Sequence, residues 1–453
     1  MKTLEIRTIL DKARAAQHAI AGYSQTQVDQ MVQAIGKAVY NNAEILAKEA
    51  VEETGMGVYE DKVAKCKGKS QTIWESLKNK KSVGVIKEEP EKGLIYVAKP
   101  KGVIAAITPT TNPDVTPMCN AMFALKGRNS IIVSPHPRSK KSSIHVVTLM
   151  RGELEKLGAP QDLIQVIKES TFELTQELMG AADIVVATGG MGLVKAAYSS
   201  GTPSYGVGAG NVQVIIDRGY DYDKAAKDII DGRKFDNGII CSGEQCIIAP
   251  KENHALIMDA FIKNGAYYIQ DEAVVDKFRK VLYPEGKINA DLVGKSVQHI
   301  ARAAGVAVPK DSKIIILKPS GCGQADLLCK EKMFPIMITL TYGTFEEAVE
   351  LANINLLYEG VGHTAAIHSN NHDHVVYAGS VLPISRLVVN QPSSTGAGGS
   401  FYNGFSPTTT LGCGSWGNNS ISENLTYKHL INVSRIGFMK KDVIIPTPQE
   451  VWG

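Results

Sequence analysis

The chain has seven cysteines, at positions 66, 119, 241, 246, 322, 329 and 413, and one of them sits where chemistry is possible. Cys241 lies in Phe235-Asp-Asn-Gly-Ile-Ile-Cys-Ser-Gly-Glu-Gln-Cys246, between an apolar pair and a Ser-Gly turn. A thiolate presented there is a candidate nucleophile. A buried bystander thiol is the competing reading for any single cysteine. Three other segments combine small, polar and proline residues: Thr108-Pro-Thr-Thr-Asn-Pro113, Ser134-Pro-His-Pro-Arg-Ser-Lys140 and Thr188-Gly-Gly-Met-Gly192. The last reads as strand, glycines, then helix, which turns backbone N–H groups and a helix N-terminus toward an anion such as a diphosphate. Gly206-Val-Gly-Ala-Gly210 has G-x-G-x-G spacing, but Asn211 and an apolar run follow it. It lacks the helix that a dinucleotide fingerprint needs. Cys241 and Cys246 have no second pair at zinc spacing, so no metal site is expected.

Positioning these loops requires a regular scaffold, and the hydrophobic pattern predicts one. Ser24-Gln-Thr-Gln27 is a capping box, and Val28, Met31, Val32, Ile35 and Val39 follow at helical spacing. Residues 83–98 read as a hairpin or extended connector. From Val103 onward, short apolar runs (103–108, 130–133, 163–167, 183–188, 212–217) alternate with helical stretches, the pattern of βαβ units around a parallel sheet. A second unit begins near Asn237, with strands at 246–249, 313–317 and 336–341. The carboxyl ends of parallel strands are where such sheets bind ligands. The expected class is therefore α/β, with Cys241 at the junction of two units.

Composition bounds the rest. The 453 residues suffice for two or three domains. The net charge of +3 gives no reason to expect nucleic acid or an anionic membrane surface as partner. No run of 18 apolar residues is present, and the N-terminus is charged where a signal peptide needs an apolar core. An odd number of cysteines suits a reducing compartment, so a cytoplasmic location is expected. Glycine is slightly high, 42 of 453, and clusters between Gly189 and Gly210 and between Gly396 and Gly417.

Over about residues 5–438 the sequence resembles the coenzyme A-acylating branch of the aldehyde dehydrogenase superfamily. The residues that carry the likeness are Thr108–Pro113, Gly206-Val-Gly-Ala-Gly-Asn211, Cys241-Ser-Gly-Glu-Gln245, Lys330-Glu-Lys-Met-Phe-Pro335, Gly362-His-Thr-Ala-Ala-Ile-His-Ser369, Ser385-Arg-Leu-Val-Val-Asn390 and Thr410-Leu-Gly-Cys-Gly-Ser-Trp-Gly417. Within the branch, Glu52-Glu-Thr-Gly-Met-Gly-Val-Tyr-Glu-Asp-Lys-Val-Ala-Lys65 resembles the clostridial-type members that act on succinate semialdehyde.

The resemblance implies a Rossmann-like cofactor domain at 1–236 with 83–98 as an oligomerisation arm. It implies an α/β catalytic domain at 237–405, and a return to the cofactor domain and a dimer contact at 406–453. It implies Cys241 as nucleophile, Asn112 as oxyanion donor, and His363 as base for the coenzyme A thiol or as a group positioning the thioester. It assigns NAD or NADP to Thr108, Pro109, Thr110, His136, Pro137, Arg138, Thr188, Gly189, Gly190, Gly192, Gly208, Glu331 and Pro335. Arg138, Lys140 and Lys141 would meet a 2′-phosphate. For the substrate carboxylate the candidates are Arg386, Ser242, Gly243, Ser393 and Ser394. Hydrolytic relatives keep a glutamate base where this chain has Tyr205–Gly210. Its absence leaves the thioester to coenzyme A, and the glycines are expected to leave room for the pantetheine arm. The reading is thus a homodimeric, NAD(P)-dependent acylating dehydrogenase joining succinyl-CoA to succinate semialdehyde. Acetaldehyde or propionaldehyde is the alternative substrate, and an inactive structural homologue is the remote one.

Overall fold

Five parallel strands form the first sheet, in the spatial order Ile164–Val166, Ser130–Pro135, Val103–Thr108, Ile184–Thr188, Ser204–Val207. The structure is a computed structural model and describes residues 2–441 and 443–453. The strands are apolar because both faces are covered. Ile104, Ala106, Ile131 and Val133 point into one core, and Val103, Ala105, Ile107 and Ile132 into another, the period-two alternation of a strand. The chain enters at the middle strand, moves outward over two strands, then crosses to the other side. The reversal falls between Val103–Thr108 and Ile184–Thr188 and opens a crevice at their carboxyl ends. Two of the marked loops begin there.

Seven parallel strands form the second sheet, in the order Ala266–Ile269, Ile314–Leu317, Ile336–Tyr342, Glu244–Pro250, Val212–Ile216, Gly362–His368, Ile384–Val389. Its first strand in the chain is Val212–Ile216, so the change of sheet precedes the boundary expected at 236/237. The run Val212–Ile216 is wholly buried between Glu244–Pro250 and Gly362–His368, pairing that no local pattern announces. A third, antiparallel sheet joins Gly84–Glu89, Leu94–Pro100 and Ile431–Gly437. It contains the hairpin expected at 83–98, turned by Pro90–Lys92 and Gly93 at φ 65°.

The N-terminal helices cover the first sheet. Helix Gln25–Asn41 starts at the Ser24–Gln27 capping box and buries Val28, Met31, Val32, Ile35 and Val39, as the spacing predicts. Helix Tyr59–Leu77 is less ordinary. Lys62 and Lys65 are among its buried residues, and Lys69 follows one turn later. Positions i, i+3 and i+7 share a helix face. That face runs along the active cleft.

Candidate active site

A cavity of about 810 Å³ lies between the carboxyl end of the first sheet and the loops leading into the second. Thr108–Asn112, His136–Arg138 and Thr188–Gly192 enter it from the first sheet. Cys241 and Glu331 enter from loops that precede the strands Glu244–Pro250 and Ile336–Tyr342. Cys241 therefore stands at the amino edge of its sheet, opposite the carboxyl-edge loops of the other.

The loop before Cys241 is unusual. Asp236, Asn237 and Gly238 have φ of 51°, 53° and 74°, a left-handed run that Asp, Asn and Gly tolerate best. Side chains offset the strain. Asp236 Oδ1 accepts the Val58 N–H at 2.8 Å, and Asn237 Nδ2 donates to Gly294 O at 2.9 Å. Arg233, wholly buried, donates to the carbonyls of Gly238 (2.6 Å), Glu244 (2.9 Å), Lys332 (2.5 Å) and Phe334 (2.8 Å). One guanidinium thus ties the Cys241 loop to the loop that carries Glu331.

Burial, with Glu331 and Cys413 adding to it and Arg386 opposing, pushes the Cys241 thiol up to about 12. The cofactor-free thiol is protonated near neutral pH. Its alkylation by iodoacetamide at pH 8, followed by peptide mass spectrometry, is expected to be about 10²-fold slower than that of free cysteine. The thiolate fraction would be about 10⁻⁴ against roughly 0.2 for a thiol of pKa ~8.5, and greater intrinsic nucleophilicity recovers part of the difference. The rate should still climb at pH 10; a plateau at pH 8–9 would contradict this picture.

Asn112 lines the cavity beside Cys241. Its Oδ1 accepts from Lys65 Nζ at 2.5 Å, and its Nδ2 reaches Thr111 Oγ1 at 3.3 Å. Glu331 also lines the cavity, and its carboxylate accepts the Gly210 N–H at 3.0 Å. Burial raises it to about 7, with Glu359 adding and the Gly210 N–H, Arg233 and Lys332 opposing. His363 is buried and does not line the cavity. A Cβ built on Gly210 would lie 3.3 Å from His363 Cε1 and 1.9 Å from Cys241 O, so the ring packs behind the nucleophile loop. Burial and the nearby Arg386 cation lower its pKa to about 3. The ring is neutral at physiological pH; its Nδ1 lies 2.9 Å from Thr364 Oγ1, and its buried Nε2 has no hydrogen-bond partner among the described residues.

At the opposite end, Gly190 and Gly192 have open space where a side chain would project, at the entry of helix Met191–Tyr198. The Thr108 hydroxyl is buried without a hydrogen-bond partner. These features fit a dinucleotide diphosphate, which needs close backbone approach and N–H donors. Lys140 is taken by Glu169 at 2.7 Å, and the Lys141 backbone N–H by Glu53 at 2.7 Å. Of the three expected 2′-phosphate partners, Arg138 alone lines the cavity.

A model described as the aldehyde dehydrogenase family matches residues 1–280. The chain is 63% identical over 450 residues to the succinate-semialdehyde dehydrogenase (acetylating) of Clostridium kluyveri, covering 99% of each. The chain belongs to the aldehyde dehydrogenase family. Its structure matches an acetylating aldehyde dehydrogenase from Geobacillus thermoglucosidasius with a TM-score of 0.95 at 36% identity, over 98% of each chain. It also matches an engineered glycolyl-CoA reductase with bound NADP+, with a TM-score of 0.85 at 30% identity, over 96% of each chain.

Against this family frame, several expected contacts move. Pro335 is buried, and its carbonyl accepts the Ile315 N–H at 3.0 Å; it lies outside the cavity. The Gly243 N–H is spent on Ile240 O at 2.8 Å, and the Ser393 N–H on Glu244 Oε1 at 2.5 Å. Arg386 is buried away from the cavity, donating to Thr364 Oγ1, Asn424 Oδ1, His363 O and Gly412 O. Four of its five N–H donors are taken in this way. Ser242 and Ser394 do line the cavity. His368 is buried in the strand Gly362–His368. The glycines of 206–210 make room for the protein itself. A Cβ at Gly206 would meet Val194 and Tyr198, and one at Gly210 the Cys241 carbonyl. Only Gly208 of the three faces the cavity.

Two lysines of the aldehyde dehydrogenase site were not anticipated. Lys65 holds Asn112, and Lys69 enters the cavity beside Ser394, Thr395 and Thr409. Their trace in the sequence is the spacing Lys62, Lys65, Lys69 on one helix face. Lysines there read as a solvated stripe until the packing of the helix is known.

Proposed function

We propose that this aldehyde dehydrogenase interconverts succinyl-CoA and succinate semialdehyde through a Cys241 thioester, with NADP(H) as its preferred cofactor. The observation that carries the substrate choice is Lys69. Its ammonium accompanies Cys241 in the cavity and contacts only the carbonyls of Gly398 (2.7 Å) and Gly399 (3.3 Å), with no carboxylate partner. The Ser394 hydroxyl in the same lining is buried without a partner. A cation beside an unspent hydroxyl suits the distal carboxylate of a succinyl group.

The residues divide the chemistry between them. The Cys241 thiol gives up its proton to water as its sulfur attacks the aldehyde carbon, and the Asn112 amide donates to the oxygen that becomes anionic. Bound nicotinamide supplies a two-electron hydride acceptor or donor. With no carboxylate at 205–210, water lacks a base there, and the thiol of coenzyme A takes the acyl group while Cys241 recovers its proton. Glu331 is the one acid among the described residues lining the cavity. The adenosine end therefore has Arg138 and no acid, which favours a 2′-phosphate over a free ribose hydroxyl pair. The exposed edges of the three-stranded sheet, with exposed Phe438, Ile444, Ile445 and Trp452 nearby in sequence, support pairing with a second copy of the chain.

The test is the ratio of kcat/KM for succinyl-CoA over acetyl-CoA, with NADPH and with NADH. The ratio is expected to be at least tenfold, and Lys69→Met should lower kcat/KM for succinyl-CoA about 10²-fold while leaving acetyl-CoA within about threefold. The loss corresponds to a charged hydrogen bond in a desolvated site. Burial, opposed by Cys119, lowers the Lys69 pKa to about 8. The ammonium form binds the carboxylate, so the succinyl-CoA KM should rise as pH increases beyond about 8, and the acetyl-CoA KM should not. A wild-type ratio near one would reassign the chain to a short-chain acetaldehyde or propionaldehyde enzyme.

A further inference from the structure

Four charged groups meet beneath the nucleophile loop. Asp236 Oδ2 accepts from Lys65 Nζ at 2.6 Å and from Lys62 Nζ at 3.1 Å, and all three side chains are buried. The Asp236 N–H donates to Asp61 Oδ2 at 2.8 Å. Asp236 holds one of the left-handed backbone positions that turn the chain toward Cys241. Lys65 is the member that reaches beyond this cluster: its ammonium also contacts Asn112 Oδ1 at 2.5 Å.

An ammonium group has donors only, so the Asn112 atom it meets must be the amide oxygen. That settles the rotation of the side chain. The amide nitrogen carries two N–H donors. One lies near Thr111 Oγ1 at 3.3 Å, which leaves the other for the cavity that Asn112 and Cys241 share. We propose that Lys65, anchored by Asp236, is a positioning residue for the oxyanion donor: it holds the Asn112 amide by its oxygen and strengthens the N–H that stabilises the thiohemiacetal oxyanion. The strengthening follows from polarisation, because a cation at the carbonyl end of an amide draws electron density away from its N–H bonds. The anchor matters as much as the charge. Asp236 belongs to the nucleophile loop and Lys65 to the helix Tyr59–Leu77, so one carboxylate sets the Asn112 amide in register with Cys241. The Asp236 carboxylate keeps its pKa low, held down by Lys65 and Lys62 against burial, and the Lys65 pKa is raised by Asp236 and Asp114 against burial. Both stay ionised across the working pH range.

This inference rests on the cysteine-thioester chemistry proposed above. It is tested by single-turnover NADPH formation from saturating succinate semialdehyde in wild type, Lys65→Met, Asn112→Ala and the double variant. Lys65→Met should slow hydride transfer about 30- to 100-fold, with the aldehyde KM within threefold of wild type and the pH 9 alkylation rate of Cys241 unchanged. Losing an oxyanion donor outright costs about 10²–10³. The double variant should be no more than threefold slower than Asn112→Ala alone, since Lys65 acts through that amide. If Lys65→Met does not fold, Lys65→Gln, which keeps a neutral donor, carries the same expectations with a smaller loss. Hydride transfer within threefold of wild type in these variants would overturn the proposal. So would losses that multiply in the double variant, or Cys241 alkylation that changes in step with the rate. A wild-type enzyme that forms no NADPH from any aldehyde would sink the functional reading instead.

Discussion

Cys241→Ala is expected to abolish NADPH-linked turnover of succinyl-CoA, by at least about 10⁴-fold, while leaving the fold and cofactor binding intact. The magnitude follows from removing the only atom that can carry the acyl group between hydride transfer and coenzyme A. No other thiol stands ready to replace it. Cys413, whose charge would be felt at Cys241, is buried, and its Sγ lies 3.5 Å from Leu411 O. The fold should survive because Cys241 is half-buried in a loop and fills no core position. Removing it falls within the small stability changes of substitutions outside packed cores, about ±0.5 kcal/mol. Fluorescence titration with NADPH should give an unchanged Kd. Residual turnover above about 1% of wild type would mean that hydride reaches the substrate without a covalent acyl-enzyme.

Arg233→Met is expected to have the largest effect on stability. The guanidinium is wholly buried and serves four carbonyls within 2.9 Å, from both loops that flank the nucleophile. Methionine fills a similar volume but donates nothing. Each buried carbonyl left without a donor costs about 1–3 kcal/mol, so the sum exceeds about 4 kcal/mol, a large share of the 5–15 kcal/mol that holds a typical domain together. The urea midpoint should drop sharply, and the folded remainder should lose activity as the Cys241 and Glu331 loops separate. Arg233→Lys should recover only part of the loss, because an ammonium cannot reproduce the planar fork. A loss below about 1.5 kcal/mol would mean that the carbonyls find other partners.

Much of this fold was legible locally. The strands Val103–Thr108 and Ser130–Pro135 and the helix Gln25–Asn41 stand where apolar runs and a capping box place them. Such elements declare themselves because their burial pattern repeats every two or 3.6 residues. Ser204–Val207 did not: it has four residues, one of them glycine, and becomes a strand only because Ile184–Thr188 offers it an edge. The same division runs through the active site. Cys241 and the Thr188–Gly192 loop stand out by residue type and local spacing, Asn112 and Glu331 only through the family resemblance, and the cavity brings them together.

Arg386, His363 and Lys69 show the limit. By type, an arginine is the natural receptor for a carboxylate and a histidine the natural base. In the fold Arg386 spends four of its five donors on the protein, and burial with the nearby Arg386 cation lowers the His363 pKa to about 3. Lys69, indistinguishable in sequence from a surface lysine, enters the cavity. The sequence alone determined the α/β scaffold and the likeness to acylating aldehyde dehydrogenases, since apolar periodicity and family motifs are both written in residue type and spacing. Only the tertiary structure decided which cations remain available to a substrate. Availability is set by burial and by competing hydrogen bonds, and those partners come from 23 to 329 residues away along the chain.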